Sequence, residues 1–95
     1  MKITVELLGL PTLSSLMGKK KDVEISGETV MDLIKHLARR FGPTVPQALL
    51  DPEGNLDLTI QVMIDDTGFL PREALSQKPL QDGDTVKFLL LAGGG

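Results

Sequence analysis

The 95-residue chain has no cysteine, tryptophan or tyrosine, one histidine and three phenylalanines. Without cysteine, disulfide scaffolds, thiol nucleophiles, zinc ribbons and iron–sulfur ligation are excluded together. A single histidine and so few aromatics leave little from which to build a catalytic site. There is no basic excess either. The formal net charge is −3, without the positive field that a nucleic-acid binder uses to neutralise phosphates. The longest apolar run, Phe88 to Ala92, falls far short of the roughly 20 residues a membrane-spanning helix requires. The opening Met1-Lys2-Ile3-Thr4-Val5-Glu6 goes straight into an alternating pattern, with no apolar signal core. These absences predict a soluble cytoplasmic protein of one domain, with no nucleic acid, membrane, metal or bound cofactor among its partners.

The pattern that is present is regular. Ile3, Val5 and Leu7 alternate against Lys2, Thr4 and Glu6, a period of two that predicts a strand over 2–8. Val23 and Ile25 alternate against Asp22, Glu24 and Ser26, a second strand. Leu13, Leu16 and Met17 in the connection have the spacing of a single helical turn. Lys19, Lys20 and Lys21 read as a solvated polar approach to the second strand. Val30, Leu33, Ile34, Leu37 and Phe41 fall at i, i+3, i+4, i+7 and i+11, one apolar helical stripe with Ala38 beside it. Thr29 and Asp32 have the spacing of a capping box, Arg39 and Arg40 suit the negative end, and Gly42-Pro43 stops the helix.

Beyond it, Ala48-Leu49-Leu50 predicts a short turn of helix, and Asp51 to Asn55 a tight turn. Leu58, Ile60, Val62 and Ile64 alternate as a third strand. After a turn at Asp65 to Gly68, Phe69-Leu70 forms a short edge pairing that Pro71 ends. Leu75 and Leu80 plug the core, Asp82-Gly83 turns the chain, and Thr85 to Leu91 is the last strand, with Val86, Phe88 and Leu90 facing inward.

A single amphipathic helix covers one face of a sheet of four to five strands, which makes a two-layer α+β domain. The most economical topology sets the first and last strands side by side and parallel in the sheet centre. That is a β-grasp arrangement, although the pattern also fits a ferredoxin-like relative lacking one helix. The domain occupies 1–92, with 93–95 as a flexible tail.

Few residues suit catalysis. His36 lies on the polar side of the helix beside Lys35 and Arg39, with no sequence neighbour to orient it, and reads as a surface residue. Asp51, Glu53 and Asp57 lack the spacing of a calcium loop. Asp65-Asp66 and Asp82/Asp84 are turn formers before they are a paired-carboxylate site. Gly9 and Gly18 make no phosphate cradle. The chain reads as a non-enzyme. Gly93-Gly94-Gly95, directly after the last strand, is another matter. It has no side chains to pack, and forms a slim thread that delivers a terminal carboxylate into a channel too narrow for anything bulkier.

Leu80-Gln81-Asp82-Gly83-Asp84-Thr85-Val86-Lys87-Phe88 followed by Ala92-Gly93-Gly94 resembles the C-terminal signature of the ubiquitin-like sulfur carriers, among them the molybdopterin synthase small subunit and the thiamine-pathway carrier. Thr29-Val30-Met31-Asp32-Leu33 looks like the family's helix opening, and the length is closer to the molybdopterin synthase subunit. The resemblance implies a β-grasp, ubiquitin-like fold and a carrier that serves as a co-substrate. An E1-like adenylating enzyme would consume ATP to activate the terminal glycine, Gly95, with Gly93 and Gly94 as its neck. A sulfur-donor protein would supply the sulfur of a thiocarboxylate, to be passed on with the synthase large subunit in molybdopterin or tungsten-pterin synthesis. Sulfur supply for thiamine, cysteine or tRNA, and conjugation of the tail to lysines, stay open. So does the reacting residue, since the family usually ends in two glycines and this chain in three. On the sheet face away from the helix, Leu8, Met63, Leu89 and Leu91 alternate outward, and form an expected docking patch at the root of the tail.

Overall fold

The computed structural model describes residues 1–65 and 68–91. Its elements are four strands, β1 (Lys2–Leu8), β2 (Lys20–Glu24), β3 (Ile60–Ile64) and β4 (Thr85–Leu90), and three helices, α1 (Pro11–Met17), α2 (Val30–Phe41) and α3 (Thr44–Leu49). A 3-10 turn spans Arg72–Ala74. The sheet order is β2-β1-β4-β3. β1 and β4 lie parallel in the centre, with Leu8 opposite Leu89, while β2 and β3 run antiparallel on the two edges. Of the two topologies the pattern left open, this is the β-grasp.

The period-two alternation holds over most of the four strands. Ile3, Val5, Leu7, Val23, Ile60, Val62, Ile64, Val86 and Phe88 all bury their side chains, and Ile25 does so just beyond β2. They join Val30, Leu33, Ile34 and Leu37 of α2 in one continuous core, to which Leu13 and Met17 of α1 and Val45 and Leu49 of α3 are added. Leu75 and Leu80 plug it, as expected. Leu16, placed on the same apolar turn as Leu13 and Met17, stays exposed. Lys20 and Lys21 belong to β2 rather than to the loop before it. The short turn expected around Ala48–Leu50 starts earlier, at Thr44, and ends at Leu49.

The start of α2 is set by short-range chemistry. The Thr29 hydroxyl accepts the Asp32 amide, and the Asp32 carboxylate accepts the amides of Thr29 and Glu28 at 3.1 and 3.0 Å. Three N–H groups at the helix entrance are thereby satisfied. Those backbone donors, Glu28 first and then Thr29, hold the Asp32 carboxyl below the usual carboxylate range.

Two positions of the alternation are corrected: Leu58 lies before β3 rather than in it, and Leu90 is not buried as an inward residue. Leu58 is 79% exposed. The Asp57 carboxylate accepts both the amide and the hydroxyl of Thr59, at 2.9 and 2.6 Å, which turns the chain before β3 begins and takes Leu58 out of register. Leu90 is 41% exposed. It stands beside Gly9, where a Cβ would meet the Leu90 Cβ at 3.4 Å, so the neighbouring strand end offers no side chain to cover it.

Candidate functional site at the exit of the central strand

β4 carries the chain up the middle of the sheet and ends at Leu90. The Leu91 amide then donates to the Thr59 carbonyl at 2.8 Å, which fixes the departing chain against the approach to β3. Around this corner the open sheet face is apolar. Leu8 and Leu89 are register neighbours on adjacent parallel strands. Leu8 and Leu91 are exposed, and Leu89 is half-buried. Met63 pairs with Lys87, one diagonal step from Leu89, within reach of long side chains. The four residues expected to form a patch therefore share one face, with three at the corner and Met63 toward the β3 edge.

Phe69 extends that face. It bridges to Met63 in antiparallel fashion, and Leu70 donates its amide to Val62 at 2.7 Å, so the segment lies along the outer edge of β3. Directly opposed residues of such a pair point to the same side, and Phe69 is 54% exposed. The alternation alone missed it because the facing of an isolated bridge depends on register, which the Phe69-Leu70-Pro71 signal does not carry. The other half of the open face is polar. Glu6 lies between Lys20 and Lys87 in register, and the Thr4 hydroxyl donates to Asp22 at 2.7 Å. An open cleft of about 500 Å³ between the end of β1 and α1, lined by Leu8, Gly9, Pro11, Ser14 and Lys19, adjoins the apolar corner.

The remaining polar candidates serve the backbone. Asp82 accepts the Lys2 amide at 2.6 Å, Asp51 those of Glu53 and Asn55, and Asp65 that of Thr85 at 2.7 Å. Asp84 accepts the Gln81 amide at 2.8 Å. Burial, and the Asp65 carboxyl beside it, push the Asp84 carboxyl above its ordinary value. Among the described residues no group of three or more acidic or histidine side chains is placed to hold a metal ion, and no helix is long and apolar enough to cross a membrane. His36 is half-buried rather than fully at the surface, and its Nε2 is shielded from solvent without a hydrogen-bond partner. Asp66 and the tail residues Gly93, Gly94 and Gly95 lie outside the described residues.

Comparison with solved structures places this architecture. SAMP1 from Haloferax volcanii superposes with a TM-score of 0.76 at 20% identity, and the match covers 100% of both chains. CysO, in its complex with BexX from Amycolatopsis orientalis, gives 0.72 at 27% identity over 98% of this chain and 99% of that one. Urm1 from Trypanosoma brucei gives 0.67 at 25% identity over 99% and 95%. The fold is that of the ubiquitin-like sulfur carriers and modifiers. No family model and no curated protein matches the sequence. These structural neighbours are small carrier or modifier proteins rather than catalysts. The end of the central strand is bordered here by Leu8, Leu89 and Leu91.

Proposed function

We propose that this protein is a sulfur carrier whose terminal glycine, Gly95, is the reacting residue, with Gly93 and Gly94 as its slim neck. An E1-like adenylating enzyme joins the Gly95 carboxylate to AMP from ATP and releases pyrophosphate, which turns an unreactive acid into an acyl electrophile. A sulfide equivalent from a sulfur-donor protein then attacks the carbonyl carbon. The C–S bond forms, AMP leaves, and a thiocarboxylate remains. In molybdopterin or tungsten-pterin synthesis the carrier hands this sulfur on within a complex with the synthase large subunit. Transfer of the sulfur and hydrolysis return Gly95 to a carboxylate.

The observation that carries this reading is the Leu91 amide held on the Thr59 carbonyl. It anchors the end of the central strand beside an apolar corner, and Ala92-Gly93-Gly94-Gly95 follow directly in the sequence. The resemblance of the Leu80–Phe88 turn and strand to the carriers' C-terminal signature supports the same chemistry, and the chain's length supports the pterin pathway. Leu8, Met63, Leu89 and Leu91, extended by Phe69, are the surface by which the activating enzyme and the synthase subunit seat the carrier. The similarity to SAMP1, CysO and Urm1 is equally compatible with sulfur supply for thiamine, cysteine or tRNA, or with conjugation of the same activated tail to lysines.

Intact-mass analysis after incubation with an activating enzyme, ATP and a sulfur donor tests the reading. Exchange of one oxygen for sulfur is the expected product, and removal of Gly94-Gly95 abolishes it. Higher-mass conjugates in place of that exchange would assign the protein to modification. An unchanged mass in the presence of an enzyme that activates a related carrier would overturn both.

A further inference from the structure

Between the N-terminal turn of α2 and the 50–58 connection lies a half-enclosed cavity of about 420 Å³, on the helical side of the molecule and separate from the open sheet face. Leu56 and Leu75, both buried, form its floor. Met31 forms a wall, and Leu58 stands at the rim with Asp51 and Glu73. Leu58 is 79% exposed, the most exposed large apolar side chain among the described residues. It lies in the connection before β3, which begins at Ile60.

The charge at this cavity is one-sided. Arg72 is the only cation among its lining residues, and its guanidinium is already directed inward to the carbonyl oxygens of Leu56 and Asp57. Its field also falls on Asp57, whose carboxyl is held low first by the Thr59 hydroxyl and amide and then by Arg72. Arg72 is thus matched by Asp57, and Asp51 and Glu73 leave the mouth of the cavity net negative. A cavity with an apolar floor, an apolar rim and two carboxylates suits a side chain with an apolar stem and a cationic head.

We propose that this cavity is a second docking site, which takes a lysine or arginine flanked by apolar residues on a segment of a partner protein. Aliphatic neighbours of the cation pack on Leu58 and Met31, while the cation lies between Asp51 and Glu73. The proposal goes beyond the tail chemistry and does not depend on it. A partner held here would leave the apolar corner around Leu8 and Leu89 free for a second protein.

The test uses the isotope-labelled full chain and two capped peptides, Leu-Lys-Leu-Arg-Leu and Leu-Glu-Leu-Glu-Leu, titrated to millimolar concentration. The basic peptide is expected to shift the amide resonances of Leu56, Leu58, Glu73 and Leu75, and the acidic peptide to leave them in place. Glu73→Lys and Leu58→Ser are each expected to weaken the basic peptide about fivefold or more. Both positions are exposed, so both variants keep the parent spectrum elsewhere. No shift at these residues, equal shifts with both peptides, shifts confined to the Leu8–Leu89 corner, or unaltered affinity in Glu73→Lys would each overturn the proposal. Thiocarboxylate formation in Glu73→Lys is expected to match the parent. Its loss in the parent chain would count against the carrier reading and leave the cavity's result standing.

Discussion

Gly27 and Asp32 are matched to one another: a Cβ at Gly27 would stand 2.4 Å from the Asp32 Cβ and 2.9 Å from its Cγ. Asp32 cannot retreat, because its carboxylate holds the Glu28 and Thr29 amides. Gly27→Ala is therefore expected to destabilise the domain by about 1–3 kcal/mol, the cost of overpacking together with a strained cap. Thr29→Ala removes one arm of the same box and is expected to cost about 1 kcal/mol. Urea unfolding of both variants checks the order, and a Gly27→Ala midpoint equal to the parent's would contradict it.

Acid acts on two carboxyls in opposite directions. The Asp32 carboxyl is held low in the fold by its backbone donors. Its contribution is therefore present above the unfolded value of about 3.8 and is lost as pH falls through the lower folded value. The Asp84 carboxyl is raised by burial and by Asp65. Its ionised form disfavours the fold at neutral pH, and that penalty is relieved as pH falls through the raised folded value toward the unfolded one. Asp84→Asn retains an oxygen for the Gln81 amide and presents an N–H to Asp65. It is expected to raise the urea midpoint at pH 7 and to leave it unchanged near pH 3. A variant less stable than the parent at pH 7 would show that the Asp84 charge is favourable instead.

How far the sequence could be read depended on whether a signal was local. The alternation in 2–8, 60–64 and 85–88 was enough to assign the inward residues, while the choice between two topologies fell to the parallel pairing of β1 with β4. The Thr29–Asp32 box was legible because all its partners lie within four residues. Leu58, as a strand residue, and Leu90, as an inward one, depart from the pattern for the opposite reason. Each continues a correct period past the point where its covering neighbour ends, at the Asp57–Thr59 turn in one case and at Gly9 in the other. The sequence marks Phe69 as an edge residue, but the face it joins is set by a bridge to Met63 six residues away. At the exit corner, Leu8, Leu89 and Leu91 were legible as outward positions, and the hydrogen bond from Leu91 to Thr59 was not.

The same contrast gives a stability test. Leu58→Ala is expected to change unfolding free energy by no more than about 0.5 kcal/mol, as for an exposed site. Ile60→Ala, at a position 1% exposed, is expected to cost about 2–5 kcal/mol through the cavity it leaves. Denaturant unfolding of the pair measures the difference. Equal costs would place Leu58 in the core.

The apolar corner can be separated from the tail chemistry by charge. Leu89 and Leu91 border the exit, and neither belongs to the buried core. Leu91→Asp would leave the core packing intact and place a charge on the surface proposed to seat an activating enzyme. Interface truncations at central apolar positions commonly cost about 1–2 kcal/mol or more, which is roughly tenfold in affinity. Leu91→Asp is therefore expected to slow thiocarboxylate formation about tenfold at limiting activating enzyme, with the urea midpoint close to the parent's. Phe69→Ala, farther from the exit, is expected to slow it less. The rate should return toward the parent's as the activating enzyme is raised, because the lesion is in docking and the terminal carboxylate is untouched. Leu91→Asp that forms thiocarboxylate at the parent's rate under limiting enzyme would remove the corner from the docking surface. A deficit that no enzyme concentration relieves would move the role of Leu91 from docking to presentation of the tail.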